Sequence, residues 1–122
     1  MIREFESVSQ FPDDHSRRWF ADEFFDLIVW FGNDGVIFGF QLVYDKDHNQ
    51  RAVTWMQGKG FSHNRIDDGE NRPGRYKATP ILVPDGAFDF KQIAERFRRE
   101  SAEISREIAD LVYNKLLTYP NQ

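Results

Sequence analysis

The chain has no cysteine among its 122 residues. This absence excludes a disulfide framework, a thiol nucleophile, an iron–sulfur cluster and a cysteine-ligated zinc site. Histidine is also scarce, with three in the chain, so a three-histidine site would need all of them to converge. Any chemistry would therefore depend on oxygen groups and a few imidazoles.

Long apolar runs and an excess of positive charge are missing as well. No run approaches the roughly 20 apolar residues of a membrane-spanning helix, and the first six residues have neither the basic start nor the apolar core of a signal peptide. A formal charge of −4 argues against non-specific attraction to nucleic acid or anionic lipid. We expect a soluble cytoplasmic protein with no membrane contact.

Sequence motifs with a known catalytic mechanism are absent too. The chain has no GxSxG elbow and neither of the phosphate-binding patterns GxxxxGK[ST] and GxGxxG. The sequence therefore predicts no cofactor and gives no motif support to a serine hydrolase or a nucleotide-binding enzyme.

Aromatic residues are abundant, with twelve Phe, four Tyr and three Trp. Two segments rich in them, Glu23 to Phe31 and Val36 to Tyr44, flank Asn33-Asp34-Gly35, a strong hairpin signal. A two-residue turn predicts one apolar face on this hairpin, and Arg51 to Gln57 extends it as a third strand. The predicted opposite pairs are Phe31–Phe38, Val29–Phe40, Leu27–Leu42, Phe25–Tyr44, Leu42–Val53 and Phe40–Trp55.

Two further strands are predicted beyond this hairpin. Phe61 to Ile66 forms a short fourth strand, and Tyr76 to Val83 a last one. Pro80 cannot donate to a strand ladder, so we expect the last strand at a sheet edge.

The last quarter has helical spacing from Phe90 to Leu117, with Asp89 as the N-cap. One helix of that length would exceed the width of a compact domain, so a bend or a break is predicted at Ser101 to Ser105. The fold class is thus a single α+β domain. It has an N-terminal segment (1–16), an antiparallel meander of four or five strands (17–83) and a helical region (89–117) on one face.

The other face of the predicted sheet is too apolar to be simply solvated. Three occupants remain open: the N-terminal segment, a second subunit, or a small-molecule or peptide ligand. Trp30 is expected to lie across Gly39. The candidate ligand or interface residues are Phe24, Asp26, Ile28, Trp30, Gln41, Val43, Thr54 and Met56, with Ile37 and Ala52 on the same face.

One loop gathers a histidine and three carboxylates, namely His63, Asp67, Asp68 and Glu70. Such groups can ligate a divalent ion or perform acid–base work, although their spacing matches no established metal motif. The alternative is a solvated loop with its turn at Asp68-Gly69.

A second cluster interleaves cations with aromatics, as single-strand nucleic-acid binders do: Arg18, Trp19, Arg75 and Tyr76. Acidic residues outnumber Lys and Arg by fifteen to ten over residues 1–90. A basic groove would therefore lie in an acidic surface, and packing of cation stems along strand ends is the simpler interpretation.

Several segments resemble a family of small bacterial proteins of unknown function: Arg18-Trp19-Phe20, Asp26-Leu27-Ile28-Val29-Trp30, Gly39-Phe40-Gln41-Leu42, Tyr44-Asp45-Lys46, Asp67-Asp68-Gly69-Glu70 and Lys77-Ala78-Thr79-Pro80-Ile81-Leu82-Val83. The resemblance spans roughly residues 17 to 117. It implies a bacterial cytosolic origin and transfers no activity and no site.

Two functional hypotheses follow. The first is a non-catalytic binding or assembly module that forms a homodimer through apolar surface. The second is a metal-assisted enzyme centred on the loop that contains His63.

Overall fold

The sheet is an antiparallel meander whose strand order follows the chain. The computed structural model describes residues 1–5, 17–67, 81–84 and 89–119. Within these residues the sheet has seven strands: β1 (Arg3–Phe5), β2 (Arg17–Ala21), β3 (Phe25–Phe31), β4 (Ile37–Tyr44), β5 (Arg51–Met56), β6 (Gly60–Asp67) and β7 (Ile81–Pro84). The antiparallel meander is confirmed, whereas the expectation of four or five strands was too low.

The underestimate arose at the start of the chain. β1 has three residues and β2 has five, which is too short for alternation to stand out in a sequence. The last strand lies at the sheet edge, as expected, although Pro80 falls outside the described residues.

The predicted register of the central strands is confirmed along most of its length. Five pairs stand opposite each other as expected: Phe25–Tyr44, Leu27–Leu42, Val29–Phe40, Leu42–Val53 and Phe40–Trp55. The Phe31–Phe38 pair is wrong, because Phe31 faces Ile37 and the register shifts between Trp30 and Phe31.

The turn explains that shift. Gly32 N–H donates to the carbonyl of Val36 at 2.9 Å, and Gly35 has a φ of 79°. The loop therefore has three residues, ending in a left-handed glycine, rather than the two that were predicted. Phe38 is the extra residue that restores the register.

Two helices follow the sheet, α1 (Phe90–Glu100) and α2 (Arg106–Leu117). The Asp89 side chain accepts a hydrogen bond from the Gln92 N–H at 3.3 Å, so the predicted cap is confirmed. The helical conformation is interrupted at Ser101 to Ser105, also as expected. Ser101 Oγ donates to the Arg98 carbonyl at 3.3 Å, and Ser105 stands at the start of α2 without a side-chain cap bond.

The hydrophobic core lies between one face of the sheet and both helices. Phe97 of α1 meets Phe25 edge to face, with ring centroids 5.8 Å apart. From α2, Lys115 Nζ lies 4.4 Å from the centroid of the Trp55 ring. The largest fully buried side chains are Phe20, Phe25, Phe40, Phe97, Ile2, Leu27, Leu42, Ile108, Leu116, Val29, Val53 and Val112.

Residues 1–5 join the first sheet edge to the end of α1. Ile2 is fully buried, and its N–H donates to the Glu100 carbonyl at 2.8 Å. Arg18 binds both carboxylate oxygens of Glu4, at 2.7 and 2.6 Å. Neither of the described helices is long and apolar enough to cross a lipid bilayer.

We expect Phe97→Ala to lower the free energy of unfolding by about 3–5 kcal/mol, because it empties a fully buried site between helix and sheet. Urea denaturation measures this change. Leu117→Ala is the control, since Leu117 is 40% exposed, and should change stability by less than about 1 kcal/mol. Equal effects of the two substitutions would contradict this core.

The pKa of Glu4 lies below its ordinary value of 4.5, chiefly because Arg18 hydrogen-bonds the ionised carboxylate. The Glu4–Arg18 ion pair therefore contributes its full stabilisation at pH values above 4.5. That contribution is lost as pH falls through the lowered pKa of Glu4. Because both side chains are about 40% exposed, Glu4→Gln should cost only about 0.5 kcal/mol at pH 7.

The measurement is thermal unfolding of both proteins from pH 7 down to pH 3, and the difference from the parent should shrink as pH falls below 4.5. Glu103→Gln removes an exposed carboxylate that pairs with no described residue and should show no such trend. A Glu4→Gln deficit that persists at low pH would refute the contribution of the ion pair.

Candidate functional site

The second face of the sheet carries one continuous row of side chains across six strands. Direct pairing places these residues opposite one another in turn, from β1 to β6: Phe5, Trp19, Ile28, Gln41, Thr54 and Ser62. Because directly opposite residues point to the same side, the row lies on the face opposite the two helices. Its aromatic end is open: Phe5 is 47% and Trp19 43% exposed, and their ring centroids are 5.4 Å apart.

Beside this row, Trp30 and Met56 cover a glycine. A Cβ at Gly39 would lie 2.5 Å from Met56 Sδ, 2.8 Å from the Trp55 carbonyl oxygen and 3.3 Å from Trp30 Cε3. A side chain at this position would displace both apolar groups, so only glycine fits without movement. The predicted placement of Trp30 across Gly39 is confirmed.

The polar groups in the middle of this face bind one another. Gln41 Nε2 donates to Thr54 Oγ1 at 3.1 Å, and Lys46 Nζ lies 3.0 Å from Asp26 Oδ1. The centre of the face therefore combines partnered polar groups with apolar ones, of which Ile28 is half-buried and Val43 and Ala52 are buried. Such a composition, in which the polar groups are already hydrogen-bonded to one another, suits a contact surface.

Six of the eight candidate residues share this face with Trp30: Asp26, Ile28, Gln41, Val43, Thr54 and Met56, with Ala52 beside them. Two expectations were wrong. Phe24 precedes β3 and packs towards the helices, with Arg96 Cζ 3.6 Å from its ring centroid. Ile37 belongs to the core because the bulge at Phe38 turns it to the other side.

Two members of the row, Phe5 and Ser62, were missing from the predicted set, and Trp19 had been assigned to another site. The sequence signal for Trp19 was its position in β2, where Arg17, Trp19 and Ala21 are alternate residues and therefore point to one face. All three pair with second-face residues of β3. Alternation alone does not say which face these residues occupy, because that depends on the register with the partner strand.

His63 belongs to the core rather than to a loop. It lies in β6, is 6% exposed and stacks on Tyr44, with ring planes 14° apart. The Tyr44 hydroxyl and His63 Nε2 are 2.6 Å apart, within hydrogen-bonding distance.

The predicted metal cluster is not brought together by the described residues. Asp67 lies four positions along the same strand, about 13 Å from His63 between Cα atoms, while Asp68 and Glu70 lie outside the described residues. Among the residues that the structure describes, no group of three His, Asp or Glu side chains can hold a metal ion.

The cation–aromatic cluster is also divided. Neighbouring residues of a strand point to opposite faces, and Arg18 binds Glu4 whereas Trp19 contacts Phe5. Arg75 and Tyr76 lie outside the described residues. These contacts give no support to a shared nucleic-acid surface.

Comparison with known proteins finds no matching family model, no matching curated protein and no matching solved structure. The resemblance to small bacterial proteins of unknown function stays a prediction.

Because Tyr44 and His63 are both buried, we expect Tyr44→Phe to lower the free energy of unfolding by about 1–2 kcal/mol through loss of their hydrogen bond. Chemical denaturation measures it. Tyr113→Phe removes a hydroxyl that donates to exposed Glu95 at 2.7 Å and should have a smaller effect. A Tyr44→Phe variant as stable as the parent would contradict a structural role for the pair.

Proposed function

We propose that this protein is a non-catalytic binding module that self-associates as a homodimer through the second face of its sheet. The observation that carries the proposal is the row from Phe5 to Ser62, which crosses six strands on the side away from both helices. Its aromatic end is exposed among the described residues. The proposal keeps the cytoplasmic location expected from the composition.

The charge pattern favours a second copy as the occupant. In a two-fold symmetric dimer, groups near the axis meet their own copies, so an unpartnered charge there would face a like charge. The centre of this face avoids that cost. Gln41 and Thr54 are neutral, and Asp26 is balanced by Lys46.

The dimensions of the face set the expected strength. Six strands spaced about 4.8 Å apart span about 24 Å, and the longest strand of eight residues runs about 26 Å. Because the edge strand is short, the footprint is on the order of 500 Å² per subunit, at the small end for stable interfaces. We therefore expect micromolar rather than nanomolar association.

Gln41→Glu tests this surface with little change in shape. Gln41 donates to Thr54 Oγ1 in the parent, and a carboxylate would instead accept a hydrogen bond from the Thr54 hydroxyl. The substitution also places like charges near each other in the dimer. We expect the dimer dissociation constant to rise by about tenfold or more. Sedimentation velocity over a concentration series measures it.

Gln92→Glu is the matched control, because it makes the same chemical change at an exposed position of α1. It should leave the dissociation constant unchanged. A parent protein that stays monomeric at high micromolar concentration would overturn self-association. In that case, a Trp30 that is shielded from a soluble fluorescence quencher would indicate that residues 6–16 cover the face. A Trp30 that the quencher reaches would indicate a small-molecule or peptide site.

A further inference from the structure

A cleft opens on the helix side of the sheet, between α1 and the end of the β4–β5 hairpin. Its volume is about 640 Å³, within the usual range for small-molecule sites. Phe24, Tyr44 and Ile93 supply its apolar lining. The cleft lies on the opposite side of the sheet from the proposed dimer face, so it is independent of that function.

Three guanidinium groups line the cleft from two elements. Arg96 and Arg99 lie three residues apart on α1 and so share one side of the helix, while Arg51 comes from β5. Arginine groups arriving from two directions can bind a phosphate or a carboxylate through parallel N–H bonds.

Arg96 is already held in position for such a role. Its Cζ lies 3.6 Å from the centroid of the Phe24 ring. Contact over the face of the ring leaves the N–H groups at the edge of the guanidinium available to an anion. Arg99 is exposed and forms no ion pair with any described residue.

Three acidic residues also line the cleft, and each has a partner. Asp89 accepts the Gln92 N–H at the start of α1, Glu95 accepts the Tyr113 hydroxyl, and Asp45 Oδ1 lies 3.3 Å from His48 Nδ1. Among the described residues of the lining, the formal charges balance, three positive against three negative. An anion would therefore be attracted by the local placement of the arginine groups and not by net charge. For this reason we expect modest affinity of the cleft for an anion.

We propose that this cleft binds a small organic anion, with its phosphate or carboxylate group between Arg96 and Arg99 and its apolar part against Phe24 and Tyr44. Arg51 supplies the third cation from the sheet. The ligand class is an aromatic or similarly flat acid, because the apolar lining consists mainly of rings.

The test titrates the full chain with phenyl phosphate, benzoate and the neutral analogue phenol at constant ionic strength, followed by two-dimensional ¹H–¹⁵N NMR. We expect saturable shifts in the second half of α1, around Arg96 and Arg99, and in the β4–β5 loop with at least one anion and none with phenol. A stronger response to phenyl phosphate assigns the group to phosphate, and a stronger response to benzoate to carboxylate.

Arg99→Gln should weaken binding about tenfold, the loss of one charge-assisted hydrogen bond. Arg98→Gln is the matched control, because it removes the same charge from the same helix outside the cleft. The Arg98 side chain lies over Tyr113, with its Cζ 5.4 Å from that ring centroid. Arg96→Lys keeps the charge but loses the planar fork, and it should also weaken binding. Absence of saturable shifts with both anions, or equal weakening by Arg98→Gln and Arg99→Gln, would overturn the proposal.

Discussion

Burial of one sheet face beneath α1 and α2 is the interaction on which the rest of this structure depends. The contact of Phe25 with Phe97 joins the sheet to the first helix, and Lys115 lies over Trp55 from the second. A meander of consecutive hairpins needs such a cover, because each hairpin alone is marginally stable in water. Once that face is chosen, alternation along every strand assigns the remaining side chains to the other face.

The two candidate sites are consequences of that choice. The second face remains after the core has taken its residues, and its row ends in the exposed rings of Phe5 and Trp19. The cleft forms where α1 crosses the end of the β4–β5 hairpin. The same packing removes His63 from solvent and commits its ring to Tyr44. A residue that suggested chemistry in the sequence is therefore part of the core.

Local patterns predicted the central hairpin well because adjacent strands are joined by short turns. Once the turn is nearly right, the register of Leu27 with Leu42 follows, as does the row from Ile28 to Thr54. The helix break was likewise readable, since length alone forbids one continuous helix. The error at Phe31 came from one extra turn residue, whose bulge moved Ile37 into the core. Such an insertion depends on the left-handed backbone at Gly35 as well as on residue type.

The sequence by itself determined the fold class, most of the core register and the exclusion of thiol chemistry, because these depend on composition and on short-range periodicity. Only the tertiary structure decided which aromatic side chains remain exposed and which cationic side chains line the same cleft. Phe5 meets Trp19, and Arg51 shares a cleft with Arg96, through contacts between segments far apart in the chain. Neither contact leaves a periodic trace in the sequence, because both are set by the order of strands in the sheet and the path of α1 across it.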